Sequence, residues 1–407
     1  MPVSTTVLPN NLAVVLGMFE TGLAVGRSLG RAGVRVLGLD SVKKIGFYSK
    51  YIDCRICPHP VEREGEFIAF LLELAKNQEQ KPVLFITSDE FLIAVSRNRR
   101  SIESRYLLSI PEPNIIESIT DKLKQYELCG KAGVAAPKTF VAHSFADVQQ
   151  IKDELPYPVF IKGREVNCWR KVMGVDQKGF LVNNPGELLA TFRLLFERGA
   201  VGLIQEVIPG PDSNHFKACC YVGREGDVLL AFALQKVRQQ PIRFGFGCVV
   251  ESIYYPKLLE LGREFLTRIE YRGVGSVEFK LDERTSELKV IELNPRYWQQ
   301  NGLAEKCGMN FPLMNFLDVT GCKPKAIVTY RDKIKWINIY HDFESFRDYR
   351  KLGRLSIRQW LQSLRGAKIY SDYAPDDIYP CFYELTSRKI LSRSLKFAAK
   401  AVRRAFG

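Results

Sequence analysis

The sequence predicts a mixed α/β and α+β protein, with a parallel α/β unit first, a longer α+β unit next and a basic C-terminal extension last. Three observations predict this order. Within residues 12–40, a buried-type strand, an apolar-periodic helix and a second strand follow one another. Residues 275–296 alternate polar and apolar side chains on both sides of a polar turn, which is typical of an antiparallel hairpin. Beyond residue 324, lysine and arginine become frequent.

Length and composition limit the class of protein. The chain has 407 residues, enough for two or three compact units, and a net charge of +14. No segment reaches the uninterrupted apolar length of a membrane-spanning helix, and the polar start predicts no secretory leader. The ten cysteines are irregularly spaced, as in a cytoplasmic protein with reduced thiols rather than a disulfide framework. We therefore expect a cytoplasmic protein.

The N-terminal unit begins with the predicted strand Leu12–Gly17, the helix Gly22–Gly33 and the strand Val34–Asp40. A later strand is expected at the start of residues 82–90, with polar side chains at its carboxyl end. The glycines of the first turn do not have GxGxxG spacing, so the turn lacks the close-approach glycine that a dinucleotide pyrophosphate needs. The pattern favours a parallel sheet that does not bind NAD.

Two carboxylates face each other in the hairpin of residues 275–296. If the hairpin closes about Thr285, Glu278 pairs with Glu292, and Asn294 follows on the same face. Like charges directly opposite destabilise a sheet, whereas a cation between them reverses the sign of the interaction. Two carboxylates and an amide are hard oxygen ligands that suit magnesium. A solvated hairpin whose glutamates splay apart is the alternative that the pattern leaves open.

Pro295 ends the second strand, and Arg296 follows at once with a planar fork of donors that can hold a phosphate or a carboxylate. The Glu...Glu-x-Asn-Pro-Arg order resembles the end of the ATP-grasp superfamily, the ligases that include carbamoyl phosphate synthetase, biotin carboxylase and D-alanine ligase. The resemblance implies that Glu278, Glu292 and Asn294 hold Mg²⁺ (or Mn²⁺) across the phosphates of ATP.

Upstream segments resemble the other ATP-grasp elements in the same order. Residues 155–163 read as a strand that ends with Lys162, and residues 202–212 as a strand that runs into a Pro/Gly turn. The resemblance implies that Lys162 and Lys122 contact phosphates and that Asp212 holds the ribose. It also implies an adenine-reading hinge, formed by Gln205, Glu206, Val207 and Ile208.

Two further segments supply basic candidates. Residues 164–178 stand where similar enzymes carry a glycine-rich lid loop, but they are basic and aromatic here, and Lys171 is the candidate for a phosphate contact. Period-two alternation places Lys236 and Arg238 on one face of a strand. In similar ligases this strand faces the reacting phosphoryl group, so both residues, with Arg296, are predicted to stabilise an acyl phosphate. An edge strand protected by its charges is the alternative, above all for Lys236.

The resemblance implies a Rossmann-like pre-ATP-grasp domain followed by an ATP-grasp fold, whose two α+β subdomains clasp ATP, and a basic C-terminal extension. The predicted boundaries give a Rossmann-like domain at 1–113, an ATP-grasp domain at 114–322 with its lid subdomain at about 135–207, an extension at 323–385 and a tail at 386–407. The tail holds seven lysines and arginines and no acid, and its apolar residues recur at helical spacing. Peripheral contact with an anionic membrane, at its inner face, is one prediction for the tail. A solvated tail and a helix docked on its own domain are the alternatives, and nucleic-acid binding is disfavoured.

The predicted function is that of an ATP-dependent ligase, which activates a carboxylate as an acyl phosphate and joins it to an amine, releasing ADP and phosphate. Small carboxylates and amines are the expected partners. Three alternatives stay open: a carboxylase or kinase that uses the same site, an ATP-binding sensor without turnover, and a basic membrane-surface or nucleic-acid adaptor. The sequence specifies neither the substrates nor the oligomeric state.

Overall fold

The computed structural model describes residues 8–164, 166–174 and 177–386. These residues form three β-sheets with helices packed on and between them. Across these ranges we find no helix with the length and apolar character needed to cross a membrane. All of the predicted tail after its first residue, residues 387–407, lies outside the described part of the chain. The predicted domain boundaries stay predictions.

The first sheet is parallel and belongs to the N-terminal unit. Its elements are β1 (Ala13–Leu16), α1 (Glu20–Arg31), β2 (Val36–Asp40), β3 (Asp53–Ile56), α2 (Glu64–Lys76), β4 (Val83–Ile86), α3 (Asp89–Arg97) and α4 (Arg99–Glu103). The strand order is β3-β2-β1-β4, and each neighbouring pair is parallel. Every residue of β1, β2 and β4 is buried, as their continuous apolar runs require. Asp89 follows β4 at the carboxyl edge of the sheet, where open α/β sheets bind ligands.

Two helices connect this unit to the second sheet: α5 (Pro113–Thr120) and α6 (Lys122–Lys131). The Asp121 side chain accepts hydrogen bonds from the backbone N–H groups of Leu123 and Lys124, so it caps α6. The backbone N–H of Lys122 donates to the carbonyl of Arg164 at 3.0 Å. The first turn of α6 is thereby fixed against the second sheet.

The second sheet is small and antiparallel. Its elements are β5 (Thr139–Val141), α7 (Phe145–Ile151), β6 (Val159–Gly163), α8 (Val166–Met173), β7 (Phe180–Val182), α9 (Pro185–Glu197) and β8 (Gly202–Glu206). The strand order is β5-β8-β6-β7. Helix α8 lies inside the segment expected to be a lid loop. Residues 166–173 contain no glycine or proline, and the buried Trp169 packs edge-on against Phe180 at 6.1 Å, so tertiary packing stabilises a helix there.

The third sheet has seven strands. Its elements are β9 (His215–Val222), β10 (Val228–Gln240), β11 (Phe246–Ile253), α10 (Pro256–Arg268), β12 (Gly273–Asp282), β13 (Glu287–Asn294), α11 (Asn301–Cys307), α12 (Phe311–Val319), β14 (Lys335–Ile337), α13 (Ile339–Lys351), α14 (Ile357–Ser363), β15 (Lys368–Tyr370) and α15 (Tyr379–Thr386). The strand order is β13-β12-β9-β10-β11-β14-β15, antiparallel except between β14 and β15. The C-terminal extension therefore continues the sheet that carries the predicted hairpin.

The extension also reaches the N-terminal unit. Arg27 of α1 forms an ion pair with Asp377 at 2.8 Å, and both side chains are almost inaccessible to solvent. Asp377 also accepts hydrogen bonds from the Ser49 hydroxyl at 2.6 Å and from the backbone N–H of Lys50 at 3.0 Å. A buried charge needs such partners. These contacts fix the extension to α1 and so connect the first sheet to the third.

Candidate functional site

A cleft of about 570 Å³ lies where the three sheets meet. Most of the predicted site residues line it: Lys122, Lys162, Gln205, Glu206, Val207, Ile208, Lys236, Glu278, Glu292, Asn294 and Arg296. They come from α6, β6, β8, β10 and the β12–β13 hairpin, so residues more than 170 positions apart in the chain converge. The fold thus brings most of the residues predicted to contact the nucleotide, the metal and the acyl phosphate into one cavity.

The predicted facing of the two glutamates is observed. Glu278 on β12 is the register partner of Glu292 on β13, and Ser276 is the partner of Asn294. The turn differs from the expected one, because a β-bulge at Ile291 shifts the register so that Phe279 pairs with Val290. The hairpin thus closes between Arg284 and Thr285 rather than about Thr285. The bulge lets Val290 and Leu293 stay in the core while Glu292 reaches the cleft.

Lysines surround both carboxylates. Lys217 lies 2.8 Å and Lys236 lies 3.4 Å from Glu278, and Lys122 lies 2.6 Å from Glu292. Burial alone would raise the pKa of Glu278, but Lys217 and Lys236 outweigh it and hold that pKa below the ordinary carboxyl value. Burial is likewise outweighed at Glu292, chiefly by Lys122, so its pKa is lowered too. Both groups are ionised at neutral pH, as metal ligands must be.

The ligand set fits a metal that shares its shell with a substrate. Among the described residues, no three or more His, Cys, Asp and Glu side chains cluster in a way that could hold a metal ion by themselves. Glu278, Glu292 and Asn294 supply carboxylate and amide oxygens only. Magnesium is usually bound by one or two carboxylates together with phosphate and water oxygens. The donor chemistry therefore matches a magnesium ion completed by a polyphosphate.

Lys162 is strongly affected by its surroundings in the cleft. Its Nζ donates to the Tyr126 hydroxyl at 2.8 Å and lies 5.0 Å from the centre of that ring. Burial, and after it the charge of Lys122, lower the pKa of Lys162 to about 7. An anion placed between the two lysines would relieve their repulsion and restore the charged form.

A network of charged side chains holds the end of β8, where the predicted hinge begins. Glu206, at the end of β8, is 7% exposed and forms ion pairs with Arg284 and, at 3.5 Å, with Lys289. Its carboxylate also accepts a hydrogen bond from the backbone N–H of Lys138 at 3.1 Å. Because these partners bind the Glu206 carboxylate, they fix the backbone at the end of β8. Ile208, two residues further on, is 3% exposed and lines the cleft.

Three predicted residues do not line the cleft. Lys171 is exposed on α8. Asp212 accepts hydrogen bonds from the Tyr349 hydroxyl and, at 3.3 Å, from the backbone N–H of Arg243. Arg238 forms an ion pair with Asp342 of α13 at 2.6 Å. Their predicted ligand roles stay predictions.

The expectation that Lys236 and Arg238 share a face is wrong. The register of β10 against β11 shifts on both sides of Arg238, with Val237 as an extra residue. Such a bulge breaks the period-two alternation. Lys236 and Gln239 consequently line the cleft, while Arg238 contacts the extension.

Other cleft residues were not among the predicted ones. Lys217 is the register partner of Glu278 across β9 and β12. His215, two positions earlier on the same strand, also lines the cleft. The alternation of His215 and Lys217 is visible in the sequence and places both side chains on one face of β9. The sequence does not show that β12 is the neighbouring strand. Asp89 of the N-terminal unit enters the site through Arg296, with nitrogen–oxygen distances of 2.7 and 3.1 Å.

The fold and the cleft resemble those of the ATP-grasp superfamily. The family model described as "Carbamoyl-phosphate synthase L chain, ATP binding domain" matches residues 247–315. Among curated proteins, the chain is similar to a D-aspartate ligase from Enterococcus faecium (strain Aus0004), with 24% identity over 295 residues that span 70% of each chain.

Solved structures show the same fold. N5-carboxyaminoimidazole synthetase from Staphylococcus aureus superimposes with a TM-score of 0.61 at 15% identity, covering 77% of this chain and 78% of that one. The biotin carboxylase domain of Hydrogenobacter thermophilus 2-oxoglutarate carboxylase, in complex with MgADP, ADP and bicarbonate, gives a TM-score of 0.62 at 16% identity, covering 80% and 73%. At these identities the superpositions establish the fold alone.

Proposed function

We propose that this protein is an ATP-dependent ligase that activates a carboxylate as an acyl phosphate and joins it to an amine. The observation that carries the proposal is the composition of one cleft: facing, ionised carboxylates lie among lysines, and the predicted hinge residues and Arg296 line the same cavity. The similarity to a D-aspartate ligase supports the C–N bond-forming chemistry.

The cations of the cleft match a polyphosphate ligand. Lys122, Lys162, Lys217 and Lys236 line the same cavity, and their charges exceed those of the two glutamates. Glu278, Glu292 and Asn294 would hold Mg²⁺, or Mn²⁺, whose charge would neutralise the phosphate oxygens. Binding of ATP would give the lysines anionic partners in place of the glutamates. A cleft of this kind acts by positioning and charge neutralisation.

The reaction has two balanced steps. An oxygen of the substrate carboxylate attacks the γ-phosphorus of ATP, the bond from that phosphorus to the β-phosphate oxygen breaks, and ADP leaves. The amine nitrogen then attacks the acyl carbon, the carbon–oxygen bond to phosphate breaks, and the nitrogen releases a proton. Arg296 and Lys236 are placed to stabilise the negative charge that develops on oxygen.

A screen of paired carboxylates and amines tests the proposal. We expect ADP release only when both substrates are present, and mass spectrometry should detect a product with a new amide bond. Nucleotide binding without ADP release across the panel would instead indicate a sensor. ADP release with a phosphorylated or carboxylated product, and no amide, would indicate a kinase or a carboxylase.

Proton uptake at Lys162 is a further expected result. At pH 8 a lysine with a pKa of about 7 is mostly neutral, and phosphate contact favours its charged form. ATP binding at pH 8 should therefore take up about 0.9 proton, and affinity should fall by up to about tenfold per pH unit above pH 7. Isothermal titration calorimetry in two buffers of different ionisation enthalpy measures the proton number.

Lys162→Arg is the matched variant for this measurement, because arginine stays charged at these pH values. The variant should bind ATP with little proton uptake and a flatter pH dependence. Equal proton uptake by the variant and the natural protein would contradict the assignment of the titrating group to Lys162.

We further propose that the tail at residues 386–407 attaches the protein to anionic membranes. The seven cations of this tail support the idea, since each lysine or arginine near an anionic surface contributes about 1 kcal/mol. Replacing Arg403 and Arg404 by glutamine should weaken binding to phosphatidylglycerol vesicles about 30-fold in a co-sedimentation assay. The control replaces the exposed Arg97 and Arg100 of the N-terminal unit. Equal binding to neutral phosphatidylcholine vesicles would refute the proposal.

A further inference from the structure

Two helices of the C-terminal extension present large apolar side chains to solvent. Ile339 and Phe343 of α13 are 59% and 45% exposed, and Ile357 and Leu361 of α14 are 48% and 53% exposed. None of the seven residues of α14, all of them within the described part of the chain, is buried. Helices at a protein surface usually turn such side chains toward the core. An outward apolar face of this kind is typical of an interaction surface.

These side chains form one continuous face. Spacings of four residues place Ile339 beside Phe343 and Ile357 beside Leu361 on the surfaces of their helices. Trp360, which is half-buried and follows Ile357 by one helical turn, joins the two pairs, because the centre of its ring lies 6.3 Å from that of Phe343. We call Ile339, Phe343, Ile357, Trp360 and Leu361 the outer face of the extension.

The third sheet holds the outer face in place from beneath. Trp360 stacks on Phe346 of α13 with 4.5 Å between the ring centres, and its indole N–H donates to Asp342 at 2.8 Å. Asp342 is itself paired with Arg238 of β10. Ser363, the last residue of α14, accepts a hydrogen bond from the same arginine at 2.5 Å. Because both helices are fixed, a partner meets a preformed face, and little ordering entropy is lost on binding.

Cations surround the outer face. Residues 347–368 contain seven lysines and arginines and a single acid, Asp348. Asp348 lies 3.4 Å from Lys351, so its charge is already matched. The seven cations are Arg347, Arg350, Lys351, Arg354, Arg358, Arg365 and Lys368. The outer face thus combines exposed apolar side chains with a strong positive charge.

This charge decides which partner fits. A second copy of the chain, docked about a two-fold axis, would bring the same cations together. The tail at residues 386–407 holds seven cations and no acid, so its charge also opposes docking on this face. A nucleic acid would match the charge but would leave the apolar side chains in water. An anionic bilayer satisfies both features, because lipid phosphates attract the cations while the apolar side chains enter the boundary between headgroups and acyl chains.

We propose that the outer face docks on the surface of an anionic lipid bilayer. The face lies on two described helices, whereas the separate proposal for the tail rests on the charge of its sequence. The inference is also independent of the ligase function, since none of the five residues of the outer face lines the cleft.

Co-sedimentation of the full chain with vesicles of phosphatidylglycerol and phosphatidylcholine tests the proposal. Replacing Arg354 and Arg358 by glutamine should weaken binding about 30-fold, because each cation near an anionic surface contributes about fivefold to the affinity. Replacing Phe343 and Leu361 by serine should weaken binding at least about tenfold, since two half-exposed apolar side chains would no longer enter the bilayer. Unchanged binding of the serine variant would overturn the proposal.

Val201→Ser with Val328→Ser is the matched control, because both valines are exposed apolar residues outside the extension helices. Their replacement should leave vesicle binding within about twofold. Melting temperatures of all these variants should stay close to the natural value, since each replaced residue is exposed. Equal binding of the natural protein to pure phosphatidylcholine vesicles would contradict the charge requirement and overturn the proposal.

Tryptophan fluorescence distinguishes the outer face from the tail. Trp169, Trp298 and Trp336 are buried, whereas Trp360 is partly exposed on the outer face. Bromine atoms on lipid acyl chains quench the fluorescence of nearby indoles, so brominated vesicles should quench the natural protein more strongly than Trp360→Phe. Equal quenching of the two proteins would show that the tail alone holds the chain at the vesicle, and it would overturn the proposal.

The two membrane proposals fail in different ways. If the glutamine changes at Arg403 and Arg404 reduce vesicle binding while the outer-face variants bind normally, the tail proposal stands and the outer-face proposal is wrong. The opposite pattern would support the outer face and refute the tail. Binding of heparin, a soluble polyanion, without binding to vesicles would indicate a nucleic acid or another polyanion as the partner and would overturn the outer-face proposal.

Discussion

Replacing Glu292 by glutamine should lower kcat/KM for ADP release by about 10³-fold or more. Glutamine keeps the size of the side chain but removes one of the two facing carboxylates, so only Glu278 and Asn294 remain of the three proposed metal ligands. A metal ion at a phosphoryl-transfer site stabilises developing charge by several kcal/mol, and three factors of ten correspond to about 4 kcal/mol. Steady-state ADP release at varied Mg²⁺ concentration measures the effect, and the apparent Mg²⁺ affinity should fall with it.

Glu287→Gln is the control for this variant. Glu287 lies on the same strand, β13, but is exposed and outside the cleft lining. Its replacement should leave ADP release within about twofold, as surface substitutions usually do. Melting temperatures of both variants check that the hairpin is intact. Glu292→Gln with natural activity and natural Mg²⁺ dependence would exclude Glu292 as a metal ligand.

Replacing Arg238 by methionine should destabilise the protein by about 3–5 kcal/mol, because the change leaves the carboxylate of Asp342 buried without its cation. The side chains of Arg238 and Asp342 are 5% and 2% exposed, respectively. Arg238 also donates to the Ser363 hydroxyl at 2.5 Å, and Asp342 accepts from the indole of Trp360 at 2.8 Å. Denaturant unfolding monitored by fluorescence measures the loss.

The double variant Arg238→Met with Asp342→Leu distinguishes a structural role from a catalytic one. With both charges removed, stability should largely recover, since a buried ion pair often contributes little beyond an apolar replacement. ADP release per folded molecule should then be close to natural. A recovered stability with kcat still reduced about 100-fold would instead support the predicted contact between Arg238 and the acyl phosphate.

Local patterns in the sequence were sufficient to predict the hairpin. Alternation along both arms correctly predicted that Glu278 and Glu292 are partners, because side-chain direction in a strand has a period of two. The bulge at Ile291 also has a signal in the sequence. Apolar residues occupy even positions at Leu288 and Val290 but odd positions at Ile291 and Leu293, and a one-residue insertion reconciles the two.

The same rule failed at β10, where no apolar pattern marks the extra residue. The bulge at Val237 follows from packing against β11 and α13, which provides the partner for Arg238. The lid segment 164–178 also differs from expectation. A loop was expected there because of the segment's position in the chain, whereas the burial of Trp169 stabilises helix α8.

The sequence by itself determined the parallel N-terminal sheet and the facing of the two glutamates, because each depends on periodicities and turns within a few residues. The order of the ATP-grasp elements was implied by the resemblance of short motifs to that family. Tertiary structure alone decided that Lys217 pairs with Glu278, that Arg238 contacts the extension and that Asp89 meets Arg296. Each of these contacts joins segments that are at least 60 residues apart. Local rules cannot choose such partners, since the choice depends on how three sheets pack around one cleft.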